Sequence, residues 1–276
     1  MKTILFPTDF SNSSIQAIKY GIELFGNIDE CKFIISHAYE TPQAGATMLI
    51  SIDKLFKDEV GSRLKKLRDG LVAEYSNVDL RISLSTFKGT VTSMIRKISK
   101  QENIDFVLMG TKGSSGIREV VIGSTTFDVV KNSKLPIIVV PEQAVLKSPK
   151  KVVFASDLSD IDKKTLNPLY SLVEASGASI DVLNIVTEKE AVAEEVNSFQ
   201  NDNISSKFFG LYGHTYHQIN GEDIEKAILD YVDENETDLL CVVNKKRNFF
   251  EGIIHSSVSK KLAFHSHTPL LILKEA

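Results

Sequence analysis

The sequence has few cysteines, no excess of positive charge and no long apolar run. Its 276 residues include two cysteines, Cys31 and Cys241, which lie far apart, and we expect both to be reduced thiols in a cytoplasmic protein. A net charge of −4 provides no basic footprint for a nucleic acid. No apolar run reaches the roughly 18 residues that would indicate a membrane-spanning helix. The first residues lead straight into a predicted strand and do not look like a signal peptide.

What the sequence does contain is typical of a globular protein with more than one domain. Hydrophobic residues make up 42% of the chain and charged residues 25%, which is an ordinary globular composition. The length suits two domains of ordinary size. We therefore expect one domain over residues 1–142 and another over residues 149–276, joined by the short polar linker Glu142–Pro149.

Short apolar runs alternate with amphipathic segments along the first half. The apolar runs predict strands, and the segments with apolar residues three or four apart predict helices, including a long one over residues 48–75. The predicted strands cover residues 2–7, 31–38, 80–86, 106–109 and 136–140. Strands that alternate with helices in this way predict an α/β fold with an open parallel sheet covered on both faces.

The second half repeats the first. Lys151–Ser159 resembles Thr3–Ser11 at an offset of 148 residues, and Asp238–Val243 resembles Asp105–Gly110 at an offset of 133. The chain is therefore predicted to contain two tandem open parallel-sheet domains. Each half should end in an apolar edge strand, and because unpaired apolar edges promote aggregation, we expect the two final strands to pair with each other.

A glycine-rich loop in the first half is the strongest candidate for a ligand site. Gly110, Gly113 and Gly123 lie between a predicted strand and a predicted helix, with the spacing Gly-x2-Gly-x9-Gly-Ser. Such glycines let a phosphate approach the backbone, and the helix start favours an anion. Ser124 and Thr125 add hydroxyls as helix caps or phosphate ligands. The spacing is not that of a Walker or Rossmann loop, and the alternative is that these glycines only form a turn.

With its flanking segments, this loop resembles that of the universal stress protein family. Ile4–Ser11 and Leu135–Val140 match family landmarks, and the resemblance covers essentially the whole chain as two copies. It implies a Rossmann-like fold of the adenine-nucleotide α-hydrolase type that binds ATP, with or without Mg²⁺. It also implies that Asp9 lies against the adenosine, that the backbone of Ala38 holds the adenine edge, and that the loop takes the ribose and phosphates. The loop residues are Gly110, Gly113, Gly123, Ser124 and Thr125. For Asp9, the alternative is a stabilising charge at a helix N-terminus.

The second half lacks the glycines of this loop. The matching positions hold Val243, Lys246 and Ser256, followed by Ser257, so we expect a degenerate copy that does not bind ATP in the same way. Most of the histidines lie in this half, but His214 and His217 are three residues apart on a predicted strand and face opposite sides. We therefore predict no metal site.

These patterns leave three functional hypotheses. No nucleophile with a base is evident, so we assign no catalytic residues and expect ATP hydrolysis to be slow if it occurs. The leading hypothesis is a cytoplasmic ATP-binding protein of stress response or signalling, in which the nucleotide biases the conformation or the binding of an unidentified protein partner. The alternatives are a slow ATPase or phosphotransferase that uses the same loop, and a structural adaptor without nucleotide. Intramolecular pairing of the two domains is expected, with a homodimer as a further option.

Overall fold

A computed structural model shows one mixed sheet with helices on both faces. It describes residues 2–28, 30–40, 46–111, 123–158, 161–187, 214–244 and 268–275. Among these residues, no helix is long and apolar enough to cross a membrane.

The described strands and helices of the first half follow the predicted order, and its five strands and long helix have bounds within two residues of the predicted ones. The strands are β1 (Lys2–Pro7), β2 (Cys31–Tyr39), β3 (Arg81–Lys88), β4 (Phe106–Gly110), β5 (Ile137–Val140), β6 (Lys151–Ala155), β7 (Ser179–Val186), β8 (His214–Asn220), β9 (Leu239–Asn244) and β10 (Leu270–Lys274). The helices are α1 (Asn12–Phe25), α2 (Ala46–Glu74), α3 (Val91–Gln101), α4 (Ser124–Asn132), α5 (Lys163–Ser176) and α6 (Ile224–Glu234).

The ten strands form one sheet in the order β3-β2-β1-β4-β5-β10-β9-β6-β7-β8. Within each half all pairings are parallel, which confirms the predicted parallel α/β sheet. Buried residues of α1, α2 and α5 belong to one apolar cluster on one face of the sheet. Those of α3, α4 and α6 belong to a second cluster on the other face. The sheet is thus covered on both sides, as the alternating pattern predicted.

The two halves meet through their final strands. β5 and β10 pair antiparallel, with Val139 opposite Leu270 and Ile137 opposite Ile272, and all four residues of β5 are fully buried. This confirms the predicted pairing of the two apolar edges. Because this is the antiparallel pair in an otherwise parallel sheet, the carboxyl ends of the strands point in opposite directions in the two halves.

The linker packs against both halves. Gln16 Nε2 of α1 donates to the carbonyl oxygen of Ala144 at 2.8 Å, and Lys147 Nζ lies 2.6 Å from Asp238 Oδ1. Burial acts to raise the pKa of Asp238, but hydrogen bonds from Lys147 and from two backbone N–H groups hold it below its usual value. The linker is therefore tied to the start of β9 by a partly buried ion pair.

The register at the junction allows a direct test by proline substitution. The carbonyls of Pro136 and Val140 accept hydrogen bonds from the β4 side. Because neighbouring residues of a strand direct their backbone groups to opposite sides, Val139 directs its N–H towards Leu270 of β10. Val139→Pro removes this donor and leaves a buried carbonyl unpaired. We expect Val139→Pro to be less stable than the matched Val139→Ala by about 1–3 kcal/mol in chemical denaturation. Equal stability of the two variants would contradict this register.

Candidate functional site

The crevice at the carboxyl ends of β1 and β4, called here the first-half crevice, is the point at which the chain changes direction across the sheet. These two strands are neighbours. The helix that follows β1 packs on one face and the helix that follows β4 packs on the other. Ligands of open α/β sheets bind at such switch points. Asp9 follows β1 at this crevice, Gly110 ends β4, and Ser124 begins α4.

Gly110 has a packing role that its sequence context did not indicate. A Cβ at this position would lie 2.6 Å from the backbone carbon and oxygen of Ser13 in α1. The carbonyl of Gly110 also accepts a hydrogen bond of 2.9 Å from the buried hydroxyl of Thr126 in α4. Gly110 therefore holds α1 and α4 close to the end of β4. Contact of Gly110 with a phosphate remains a prediction.

The N-terminus of α4 lies beside the end of β4, and its N-cap residue is a glycine. Gly123 is the N-cap residue, with φ −59° and ψ 148°, and its N–H donates to the carbonyl of Thr111 at 2.6 Å. Ser124 and Thr125 form the exposed first turn. Because the N-cap residue is a glycine, it has no side chain to cap the helix, and the first N–H groups and positive dipole end of α4 can receive an anion.

Asp9 lies in a local network of hydrogen bonds at the start of α1. Its Oδ1 accepts from the Ser11 N–H at 3.0 Å and from the Ser11 hydroxyl at 2.6 Å. The Ser11 hydroxyl oxygen in turn accepts from the Ser14 N–H at 3.3 Å and caps the helix. The carboxylate is thus held in place at the crevice. Through Ser11, Asp9 contacts the N-terminus of α1, which supports its alternative role at the start of this helix. Its role towards a nucleotide remains a prediction.

The backbone of Ala38 projects beyond the end of β1. The carbonyl of Ser36 accepts a hydrogen bond of 2.9 Å from the N–H of Thr8, the residue that follows β1. Residues two apart in a strand direct their backbone groups to the same side, so Ala38 points to this side too. Tyr39 points to the opposite side, where its carbonyl accepts from the Gly89 N–H at 2.9 Å. The polar backbone edge of Ala38 therefore borders the crevice.

A stack of three side chains at the same edge was not predicted. Phe10 adopts a left-handed backbone with φ 66°. The guanidinium carbon of Arg63 lies 4.0 Å from the centre of the Phe10 ring, and the His37 ring lies 4.9 Å away. His37 Nδ1 is 2.6 Å from the carbonyl oxygen of Thr8, so this nitrogen donates and the ring is packed in place. These residues come from separate elements, and no local sequence pattern connects them.

The second half repeats the turn after its first strand but fills the space beside it. Leu158 occupies the position of Phe10 and has the same left-handed backbone, with φ 59°. Its N–H donates to the Ser156 hydroxyl at 3.1 Å, as the Phe10 N–H donates to the Thr8 hydroxyl at 3.0 Å. Val243 and Ile161 stand at the positions of Gly110 and Ser13, and both belong to the same buried cluster.

The first helix of the second half is also displaced along the chain. At the offset of 148 residues, the start of α1 corresponds to residue 160, whereas α5 begins at Lys163. A valine in place of glycine does not allow the close approach that Gly110 permits. The filled space and the later helix start give the two halves different geometries at their strand ends.

Several predicted positions lie outside the described residues. They are Gly113 in the first half, and Lys246, Ser256 and Ser257 in the second. His214 and His217 lie on β8, as predicted, and His217 Nε2 is 3.5 Å from Asp181 Oδ2. Within the described ranges, no group of three or more His, Cys, Asp or Glu side chains is arranged to hold a metal ion.

Two doubly wound α/β units, joined edge to edge in one sheet, define a tandem Rossmann-like protein. A model of the universal stress protein family matches residues 1–141 and again residues 149–274. The chain therefore belongs to the universal stress protein family, with the family unit present twice.

Relatives in two archaea are consistent with this assignment. Universal stress protein MJ0531 of Methanocaldococcus jannaschii is 31% identical over 155 residues, which are 54% of this chain and 84% of that protein. Universal stress protein MJ0577 of the same organism is 26% identical over 153 residues, 50% of this chain and 94% of that protein. The crystal structure of a universal stress protein from Archaeoglobus fulgidus is 19% identical with a TM-score of 0.74, and the match covers 99% of this chain and 98% of that one. At this identity, the structural likeness concerns the fold alone.

The close contact at Gly110 predicts a strong effect of the smallest possible side chain. Gly110→Ala places a methyl group against the Ser13 backbone, and we expect a loss of about 1–3 kcal/mol in the free energy of unfolding. Gly70→Ala in α2 is the matched control, because nothing lies within 4 Å of its added Cβ and alanine favours a helix by about 0.5–1 kcal/mol. Thermal unfolding of both variants tests this. A Gly110→Ala protein as stable as the parent would show that α1 does not rest on β4 in this way.

Proposed function

We propose that this universal stress protein binds one adenine nucleotide, ATP in the first instance, in the first-half crevice. The observation that carries the proposal is the N-terminus of α4, whose N-cap residue is the glycine Gly123, beside the switch point of β1 and β4. A helix N-terminus with no side chain on its N-cap residue offers several N–H groups to one phosphate at once. The family resemblance of the loop from Gly110 to Ser124 supports the same ligand.

The three parts of a nucleotide can be assigned to separate parts of the crevice. The open backbone edge of Ala38 suits the adenine, whose ring edge pairs with an N–H and a carbonyl. Asp9, held by Ser11, suits the hydroxyls of the ribose. Ser124 and Thr125 suit the phosphates, together with Gly113, and Mg²⁺ can accompany them. In this proposal Gly110 contributes by holding the two helices at the crevice.

The two halves then have separate duties within one chain. Residues 1–142 form the nucleotide-binding domain, and residues 149–276 form a degenerate domain that covers the apolar edge of the first through β10. Nucleotide occupancy would change the surface around the crevice that is offered to a protein partner, in a stress or signalling role in the cytoplasm. Because the partner strand is supplied within the chain, a homodimer is not needed to cover β5.

Calorimetric titration should show one ATP per chain. Gly123→Val should abolish this binding, because a branched side chain at the helix start obstructs the phosphates. Loss of two charge-assisted hydrogen bonds of about 1.5 kcal/mol each corresponds to a drop in affinity of about 100-fold or more. The fold should persist, since the φ of −59° at Gly123 is accessible to any residue.

The matched control is Ser256→Val, which changes the corresponding position of the second half and should leave the affinity unaltered. Two equivalent sites, or unchanged affinity in a folded Gly123→Val protein, would overturn the proposal. If the parent protein binds no adenine nucleotide at all, the structural adaptor is the better description.

A slow ATPase or phosphotransferase is the alternative use of the same crevice. Asp9 Oδ1 accepts two hydrogen bonds from Ser11, and His37 Nδ1 donates to Thr8, which leaves the lone pair on Nε2 of the ring. The expectation of slow turnover rests on the sequence, in which no nucleophile is paired with a base. We therefore expect binding without appreciable turnover. Incubation with excess ATP and Mg²⁺ and measurement of ADP over time tests this. Steady ADP formation that is lost in Gly123→Val would favour the enzyme.

A further inference from the structure

A cavity of about 270 Å³ lies between the two halves, at the end of the sheet opposite to the first-half crevice. It borders the residues that precede β5, the first turns of α5 and the end of β10. Its polar lining comprises Lys134, Lys164, Thr165, Lys274 and Glu275, and Leu273 is among its apolar residues. Both halves therefore contribute to this cavity, called here the junction cavity.

The charges around the junction cavity are mainly positive. Three lysines from three different segments face one carboxylate, that of Glu275. Neither Lys134 nor Lys164 forms an ion pair within the described part of the chain. Lys274 is partly buried, and burial lowers the pKa of its ammonium group. A bound anion would stabilise the charged form of all three lysines.

A buried hydroxyl at the same place lacks a hydrogen-bond partner. Thr165 is 3% exposed, and its Oγ1 makes no hydrogen bond in the described structure. Thr165 is the third residue of α5, as Ser14 is the third residue of α1. The Ser14 hydroxyl has two partners, the Thr8 hydroxyl at 2.8 Å and the Ser11 carbonyl at 2.9 Å. Thr165 occupies the same position in its helix, but its hydroxyl has neither kind of partner among the described residues.

Rotation about one bond can supply the missing partner. Threonine in a helix uses two χ1 rotamers, and a change between rotamers moves the hydroxyl to a different side of Cβ. Because Thr165 lines the junction cavity, an acceptor bound there can receive its O–H. A phosphate oxygen is such an acceptor, and it also matches the ammonium groups.

We propose that the junction cavity is a second ligand site, which binds the phosphate group of a small anionic molecule. Lys134 of the first half and Lys164 and Lys274 of the second neutralise the dianion, and Thr165 donates a hydrogen bond. The volume is slightly below the usual range for drug-sized ligands, so the site takes inorganic phosphate or a small phosphorylated metabolite rather than a whole nucleotide. Such a ligand contacts both halves at once. The proposal is independent of the nucleotide site.

Calorimetric titration of the full-length protein with inorganic phosphate and with glycerol 3-phosphate tests the site. The titrations are done at constant ionic strength and with saturating ADP, so that the proposed nucleotide site is already filled. We expect Lys134→Gln or Lys164→Gln to weaken binding at least tenfold. Lys131→Gln on α4 is the matched control, since it removes the same charge outside the lining, and it should have no effect. Tighter binding of glycerol 3-phosphate identifies a phosphorylated metabolite as the ligand, and tighter binding of phosphate identifies the free anion. Absence of binding, or equal affinity in all four proteins, would overturn the proposal.

A substitution at Thr165 separates the ligand contact from a structural role. Thr165→Val removes an unpaired buried hydroxyl at nearly constant volume, so the variant should be at least as thermally stable as the parent without phosphate. The rise in Tm on adding phosphate should be smaller in the variant. Ser14→Ala, which removes a paired hydroxyl, should instead lower Tm. A Thr165→Val protein that is less stable without phosphate, or that keeps the full phosphate-induced rise, would contradict the assigned contact.

Discussion

The antiparallel pairing of β5 with β10 is the constraint on which the rest of the molecule depends. Each half, taken alone, would expose a short strand made almost entirely of apolar residues, and such an edge recruits other strands. The pairing buries both edges in one continuous sheet. It also fixes the relation between the halves, because strands that meet antiparallel place the two sets of carboxyl ends at opposite ends of the sheet. A ligand at one switch point therefore cannot be shared with the other.

Much of this arrangement could be predicted from the sequence. The strands are short apolar runs, the helices carry apolar residues at regular spacing, and the offset repeat between the halves shows that one topology is used twice. Even the pairing of β5 with β10 follows from local information, since a buried strand at the end of each unit needs a partner. The hydroxyl residues Ser11 and Thr90 cap the N-termini of their helices in the structure, as is common for Ser and Thr at helix starts.

The contacts that shape the site could not be predicted in the same way. The role of Gly110 depends on Ser13, which is distant in sequence and reaches Gly110 only after the sheet has formed. The stack of Phe10, His37 and Arg63 likewise joins three elements. A glycine in a loop indicates freedom of the backbone, but it does not indicate which other atoms use the space. The sequence therefore indicated where the crevice lies, and the tertiary packing determines how it is built.

The repeat supplies an internal control that separates the needs of the fold from those of a ligand. The left-handed turn at Phe10 recurs at Leu158. The carboxylate of Asp105 accepts the Thr3 N–H at 2.8 Å, and in the second half the carboxylate of Asp238 accepts the Lys151 N–H at 3.0 Å. Features present in both halves are explained by the fold alone.

Features found in one half need a different explanation. The close approach of α1 to Gly110 is replaced by apolar packing of Val243 and Ile161. The aromatic pair of Phe10 and His37 is replaced by Leu158 and Asn184, as the strand registers show. Asn184 Nδ2 donates to the Ser156 carbonyl at 3.1 Å, as His37 Nδ1 does to Thr8, so this hydrogen bond recurs while the aromatic rings do not. Since the second half folds without these features, they do not belong to the fold that the two halves share. The stack and the close approach at Gly110 are therefore particular to the first half, and the approach at Gly110 shapes the packing of α1 there.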